Sequence, residues 1–263
     1  MNAKKRKTLI VGNWKMHLNA SQSSLLLARL HKHISGHRDV EVVVAPSLLA
    51  LQPLSLQIDR RRFRLAAQNA NAKDEGALTG EVSFAMLHNL VHYAIIGHSE
   101  RRIYFNESLQ DIRDKVAASV RSGIVPILCV GETADERQDG ETKQVLHDQV
   151  TSALSNLTAE EVQHVVIAYE PVWAISNFGG KLAKPSDVKK SLDFIRNQIL
   201  QLYGKAAAEE IRILYGGSVD EHIVGGYLEI ENCDGVLVGS ASLNYHKFSG
   251  IVDSADKNNQ KED

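Results

Sequence analysis

Eight short apolar runs recur along the chain, at 8–11, 40–45, 64–68, 93–97, 125–130, 164–169, 211–215 and 235–238. All are too short for helices and several are rich in β-branched residues, so each reads as a buried strand. Between them lie helix-like stretches at 21–35, 47–57, 82–90, 109–122, 141–155, 186–203 and 219–228. Strands that alternate with helices imply βαβ units and a parallel sheet. Eight such units in a chain of 263 residues fit a closed (β/α)8 barrel of class α/β better than an open doubly wound sheet. No linker-like stretch divides the chain. Residues 1–263 are therefore expected to form one barrel domain, with a polar tail at 254–263 that frays.

The net charge of −2 argues against a general nucleic-acid binder and leaves membrane attraction without a driving force. Cys129 and Cys233 lie far apart in apolar contexts, which points to a reducing compartment and away from a disulfide framework or metal cage. The start is basic, but too short an apolar run follows for a signal peptide, and no run is long enough to cross a membrane.

In such a barrel the chemistry sits just after each strand. After the first run comes Gly12-Asn13-Trp14-Lys15-Met16, where Lys15 can hold an anion and Asn13 can donate a hydrogen bond, although a solvated lysine is the commoner case. After the third comes a long polar loop, 69–80, of the kind that is more often functional or interfacial than idle. After the fourth, Gly97-His98-Ser99-Glu100-Arg101-Arg102 makes Ser99 a candidate N-cap. The amides and dipole of the turn that follows disfavour a charged imidazole, so His98 reads as a neutral donor or as an ordinary structural histidine. After the fifth, Glu132 places a further acid at the mouth.

The most informative stretch is Val165-Val166-Ile167-Ala168-Tyr169-Glu170-Pro171-Val172-Trp173-Ala174-Ile175. A single carboxylate ends an apolar strand, and the proline behind it stops the ladder of hydrogen bonds. Desolvation under Val172, Trp173 and Ile175 would disfavour the charge on Glu170 and make it a usable proton acceptor; the alternative is a strand-end acid facing water. Trp173 reads as a lid anchor rather than pure packing. After the last two strands come the small-residue turns Tyr215-Gly216-Gly217-Ser218 and Gly239-Ser240-Ala241-Ser242. Each alone is weak. Together they can aim backbone amides at one phosphate.

With these motifs in their order and spacing, the chain resembles the triosephosphate isomerase family along nearly its whole length. The matching segments are Gly-Asn-Trp-Lys-Met from Gly12, Gly-His-Ser-Glu-Arg-Arg from Gly97, Cys-Val-Gly-Glu-Thr from Cys129, Ala-Tyr-Glu-Pro-Val-Trp-Ala-Ile from Ala168, Tyr-Gly-Gly-Ser from Tyr215 and Leu-Val-Gly from Leu237. The resemblance implies a TIM barrel that interconverts D-glyceraldehyde 3-phosphate and dihydroxyacetone phosphate through an enediol(ate), with no cofactor and no metal. It implies Glu170 as the base, His98 as the neutral electrophile, Lys15 as the counter-charge with Asn13 as a supporting donor, and Glu100 as an acid beside the lysine. Ile175 and Leu237 match the apolar residues that keep the base dry, and Tyr215 and Ala183 match the partners of a closed lid. Ser218, Gly239 and Ser240 fall at the phosphate end. A cytoplasmic homodimer is implied too, with the loop carrying Thr79 inserted beside Asn13 and Lys15 of the neighbouring subunit.

Three departures stand out. The lid usually reads Ile-Gly-Thr-Gly-Lys, whereas Ser176-Asn177-Phe178-Gly179-Gly180 lies between Ile175 and Lys181, two residues more. Counted from the front hinge the phosphate-gripping position is Ser176, and from the rear hinge Phe178; Gly179 is the compromise, since glycine alone tolerates positive φ cheaply. The usual Gly-Gly after strand eight is Gly239-Ser240, and a serine there is costly if positive φ is required. The connection 86–93 lacks its usual glycine, at the end of the barrel away from the chemistry. The first two departures keep open a barrel with a weakened phosphate grip, acting slowly or on another small phosphorylated carbonyl. A non-catalytic scaffold is the remaining alternative. The arginine-rich run 60–64 reads as a solvated loop, and His33 and His37 lack a third metal ligand.

Overall fold

The computed structural model describes residues 6–34, 39–175 and 181–261. The eight strands are β1 (Thr8–Asn13), β2 (Val40–Ala45), β3 (Phe63–Ala67), β4 (Tyr93–Ile96), β5 (Val125–Val130), β6 (Val166–Tyr169), β7 (Arg212–Tyr215) and β8 (Gly235–Val238). All neighbours are parallel, and β8 pairs with β1, so the sheet closes in sequence order. Parallel neighbours need a crossover, and a helix on the outside supplies it each time.

Strand side chains alternate between two apolar layers. Leu9, Val11, Val43, Ala45, Ile95, Ile127, Ala168, Leu214 and Leu237 fill the barrel. Ile10, Val42, Val44, Leu128, Ile167 and Val236 face outward and pack against the helices. Burial on both faces explains why the strands read as continuous apolar runs. Cys129 and Cys233 are free and buried, one in each layer. Among the described residues no helix is long and apolar enough to cross a membrane.

Several helices differ from expectation. The segment 82–90 contains only Phe84–Leu87, and the chain then turns through Asn89 at φ 68° in place of the missing glycine. Asparagine adopts that left-handed conformation more readily than most side chains. The segment 186–203 extends to Pro185–Glu210 with a break at Gly204, and 219–228 narrows to Val224–Leu228.

The fraying tail is corrected over 254–261, which the helix Tyr245–Lys261 covers; 262–263 lie outside the described residues. Phe248, Ile251, Val252 and Ala255 are buried at helical spacing. Asn259 continues that stripe, donating to Asp39 O at 3.1 Å and accepting from Thr8 Oγ1 at 3.2 Å. The apolar stripe starts upstream of the polar tail, so the tail's composition concealed the face that docks.

Candidate active site

The C-terminal ends of the strands enclose a solvent-open cavity lined by Asn13, Lys15, His98, Glu170, Ile175, Ser218, Leu237, Gly239 and Ser240, among others. These residues come from β1, β4, β6, β7 and β8 and the loops behind them, far apart in sequence and together in space.

Glu170 is 2% exposed, so the reading of a strand-end acid facing water is excluded. Its amide donates to Val130 O at 2.7 Å, which fixes the backbone at the strand end. The side chain is tightly framed. The Ser99 amide donates to Oε2 at 3.2 Å, and His98 Nε2 lies 3.1 Å from Oε1. A Cβ on Gly216 would come within 2.7 Å of Glu170 Cγ, and one on Gly131 within 1.9 Å of Glu170 O. Two glycines are therefore required by close approach to one residue. The sequence showed both only as loop glycines.

His98 itself caps the short helix Ser99–Tyr104, which corrects the assignment of that cap to Ser99. The reason is geometric: the Glu100 amide donates to His98 Nδ1 at 3.2 Å. With Nδ1 accepting, Nε2 is the ring nitrogen left to donate, and it faces Glu170 and the cavity.

Lys15 Nζ bonds Glu100 Oε1 at 2.6 Å, uniting the two residues that the motifs paired. Its backbone has φ 51°, unusual for a side chain with a Cβ and costing on the order of 1 kcal/mol or more. Asn13 Oδ1 accepts from the Lys15 amide at 3.1 Å, which leaves the Asn13 amide group free to donate. Gln68 Nε2 donates to the carbonyls of Lys15 and Ala45, each at 2.8 Å. Gln68 is a supporting residue that sequence reasoning missed; only its place at the end of the third run signalled it.

Glu132 does not face the cavity as an acid at the mouth. It is 0% exposed and accepts from Tyr169 Oη at 3.1 Å and Trp173 Nε1 at 2.9 Å. Arg137 lies with its guanidinium 4.3 Å from the Trp173 ring centroid, and bonds Asp187 at 2.9 Å. Trp173 is therefore held between Glu132 and Arg137, just before the undescribed residues 176–180.

In the turn after β8, where the sequence predicts phosphate contacts, Ser240 opens a 3-10 turn, Ser240–Leu243, and is not among the residues with positive φ. The serine therefore carries no backbone penalty there. Ser218 Oγ donates to Ala174 O at 2.9 Å, joining the β7 turn to the residue before Ile175. Gly179 lies outside the described residues, as does His37. Tyr215 and Ala183 are not bonded to each other; Tyr227 Oη donates to Ala183 O at 2.7 Å and its ring stacks on Tyr215. Among the described residues no group of three or more His, Cys, Asp or Glu is placed to hold a metal ion.

A family profile described as triosephosphate isomerase matches residues 8–255. Curated proteins named triosephosphate isomerase are similar over most of the chain. That of Carboxydothermus hydrogenoformans is 42% identical over 248 residues, 94% of this chain and 98% of the relative. That of Clostridium tetani is also 42% identical over 248 residues, 94% of this chain and 96% of the relative. That of Dehalococcoides mccartyi is 39% identical over 250 residues, 95% of this chain and 97% of the relative.

Proposed function

The chain belongs to the triosephosphate isomerase family, and we propose that the mouth of its barrel performs that aldose–ketose isomerisation with Glu170 and His98 as the proton-transfer pair. The substrates are D-glyceraldehyde 3-phosphate and dihydroxyacetone phosphate, interconverted through an enediol(ate). The observation that carries the residue assignment is the 3.1 Å approach of His98 Nε2 to Glu170 Oε1 inside the cavity that Lys15 and Asn13 also line.

Glu170 takes a proton from the carbon beside the carbonyl and returns it to the neighbouring carbon. Its burial removes the water that would otherwise stabilise its charge and compete for the proton. His98 donates from Nε2 to the oxygen on which negative charge develops. Lys15 balances that charge and the phosphate, Asn13 donates beside it, and Glu100 holds the lysine in place. Leu237 and Ile175 cover the base. The backbone at Ser218, Gly239 and Ser240 receives the phosphate. Since Ser240 needs no positive φ, one of the two reasons for expecting a weakened grip falls away.

A homodimer is part of this reading. Thr79 is exposed on the long third loop, and Met16, 96% exposed, borders an open groove with Leu48, Leu51, Ala70 and Val82 beside Lys15. A large exposed apolar side chain beside a groove of mixed polarity fits a partner surface. Leu48→Glu tests this in sedimentation: a charge at the first turn of its helix suits the monomer but not a buried interface, so dissociation is expected and an intact dimer would count against the groove. The two free thiols favour a reducing cytoplasm.

The assay is coupled isomerase turnover on glyceraldehyde 3-phosphate, titrated to saturation, with inorganic phosphate as competitor. Turnover with competitive phosphate inhibition is expected. A folded protein without turnover would overturn the assignment.

A further inference from the structure

Tyr227 lies in the helix Val224–Leu228, is 4% exposed, and has no part in the isomerisation described above. Its ring stacks on that of Tyr215, with centroids 4.2 Å apart and planes inclined at 23°. Its hydroxyl donates to Ala183 O at 2.7 Å, just before the helix Pro185–Glu210. The phenol is therefore fixed at its face and at its tip. Tyr215, the last residue of β7, is fully buried, and its own hydroxyl makes no hydrogen bond of good geometry among the described residues. Packing holds that ring, and Tyr227 supplies the stacked face.

Tyr215 carries the constraint to the cavity wall. A Cβ on Gly217 would lie 2.1 Å from Tyr215 Oη and 2.4 Å from Cζ, so the backbone at Gly217 rests on the tip of that ring. The residues on either side are anchored otherwise. The Gly216 amide donates to Tyr169 O at 2.8 Å, and Ser218 bonds Ala174 O through its amide at 3.3 Å and its hydroxyl at 2.9 Å. The Gly217 amide donates to no acceptor among the described residues, although Gly217 lines the cavity between those two. Glycine has the most backbone freedom to lose, and here a side chain restrains it where hydrogen bonds do not.

We propose that Tyr227 is a positioning residue for the phosphate end of the cavity: by stacking on Tyr215 it holds Gly217, and with it the turn 216–218, in shape before an anion arrives. The inference rests on the proposed phosphate site and adds a residue behind its wall. Without the stack the Tyr215 ring can withdraw, and Gly217 must be ordered at each binding event. Ordering the backbone of one residue weakens binding by about tenfold. Glu170 is spared, because Gly216, which packs on it, keeps its own hydrogen bond.

The test measures turnover on glyceraldehyde 3-phosphate and its competitive inhibition by inorganic phosphate. In Tyr227→Leu, KM and the phosphate inhibition constant are expected to rise together by about tenfold, with kcat within about threefold of the parent. Tyr227→Phe keeps the stacking ring and should bring both constants back within about threefold. Leu228→Ala removes buried packing from the same helix while leaving both rings in place, and should leave both constants within about twofold. Circular dichroism establishes that each variant is folded. If Tyr227→Leu does not fold, Tyr227→Met takes its place, since its flexible chain fills the space without a planar face. An equal rise in Tyr227→Phe or in Leu228→Ala, or a loss confined to kcat, would overturn the positioning role. Phosphate that competes equally well in the parent and in Tyr227→Leu defeats this inference alone. Phosphate that does not compete in the parent defeats the phosphate site, and this inference with it.

Discussion

Gly216→Ala tests whether the position of the Glu170 carboxylate governs the rate. An added Cβ would lie 2.7 Å from Glu170 Cγ and 3.4 Å from Tyr169 O. Carbon atoms in contact prefer about 3.5–4.0 Å, so something must yield by about 1 Å. The backbone offers little relief: the Gly216 amide donates to Tyr169 O at 2.8 Å, and the Glu170 amide donates to Val130 O at 2.7 Å. The Glu170 side chain is the part that can move, and moving it draws the carboxylate away from the Ser99 amide and His98. Displacement of a reacting group by about 1 Å costs roughly 100-fold. The expected result is kcat reduced about 100-fold, with competitive inhibition by inorganic phosphate preserved, because the added methyl meets Glu170 and not Ser218, Gly239 or Ser240. Unfolding followed by circular dichroism shows whether enough folded protein remains for that comparison. A folded variant with kcat within threefold of the parent would refute the argument, and weakened phosphate binding with unchanged kcat would relocate the effect.

Other changes test separate parts of the structure. Glu170→Asp withdraws the carboxylate by one methylene, about 1 Å, and should also lower kcat roughly 100-fold; nearly unchanged turnover would remove Glu170 as the base. Trp173→Phe deletes the donor 2.9 Å from buried Glu132 and should cost about 1–3 kcal/mol in urea unfolding; an unchanged midpoint would mean that Tyr169 and Arg137 suffice. Burial opposes the charge on Glu41, but the Arg212 guanidinium at 2.7 Å, with hydrogen bonds from Arg212 and Tyr93, outweighs it and holds this carboxyl below its ordinary range. The folded protein therefore binds this proton less readily than the unfolded chain. The stabilisation is present above about pH 4.5 and is lost as pH falls through the depressed value. Glu41→Gln should flatten the acid side of a plot of Tm against pH; an unaltered acid slope would contradict the linkage.

The barrel was legible because buried parallel strands need apolar residues on both faces, and eight such runs survive the noise of local propensity. The groups proposed for proton transfer, Glu170 and His98, stood out because each lies directly behind a strand. The supports around them were not, because their signals are distances rather than residue types. Gly131 and Gly216 read as loop glycines until Glu170 is seen against both. Glu132 is an acid near a strand end like Glu170, yet it bonds Tyr169 and Trp173 while Glu170 meets His98, and neither set of partners is written in the local sequence. The final helix was hidden for a different reason. Its buried stripe passes from Phe248 through Ala255 to Asn259, and the last member docks by hydrogen bonds, which hydropathy cannot register.

Two residues with positive φ lie at opposite ends of the barrel. Asn89 turns at φ 68° on the side away from the cavity, where it replaces a glycine and any side chain that tolerates the left-handed region would serve. Lys15 turns at φ 51° on the cavity side, and a lysine has no such tolerance. Its conformation must be held by its surroundings, and three contacts do so: Asn13 Oδ1 on its amide, Gln68 on its carbonyl and Glu100 on its ammonium. Strain that neighbours hold in place at a cavity fits a need to fix a charge where a substrate will arrive. A relaxed lysine would have to be ordered during each turnover, at the cost of conformational entropy. The chain meets that cost in folding, so the ammonium is already set beside the cavity before any substrate binds.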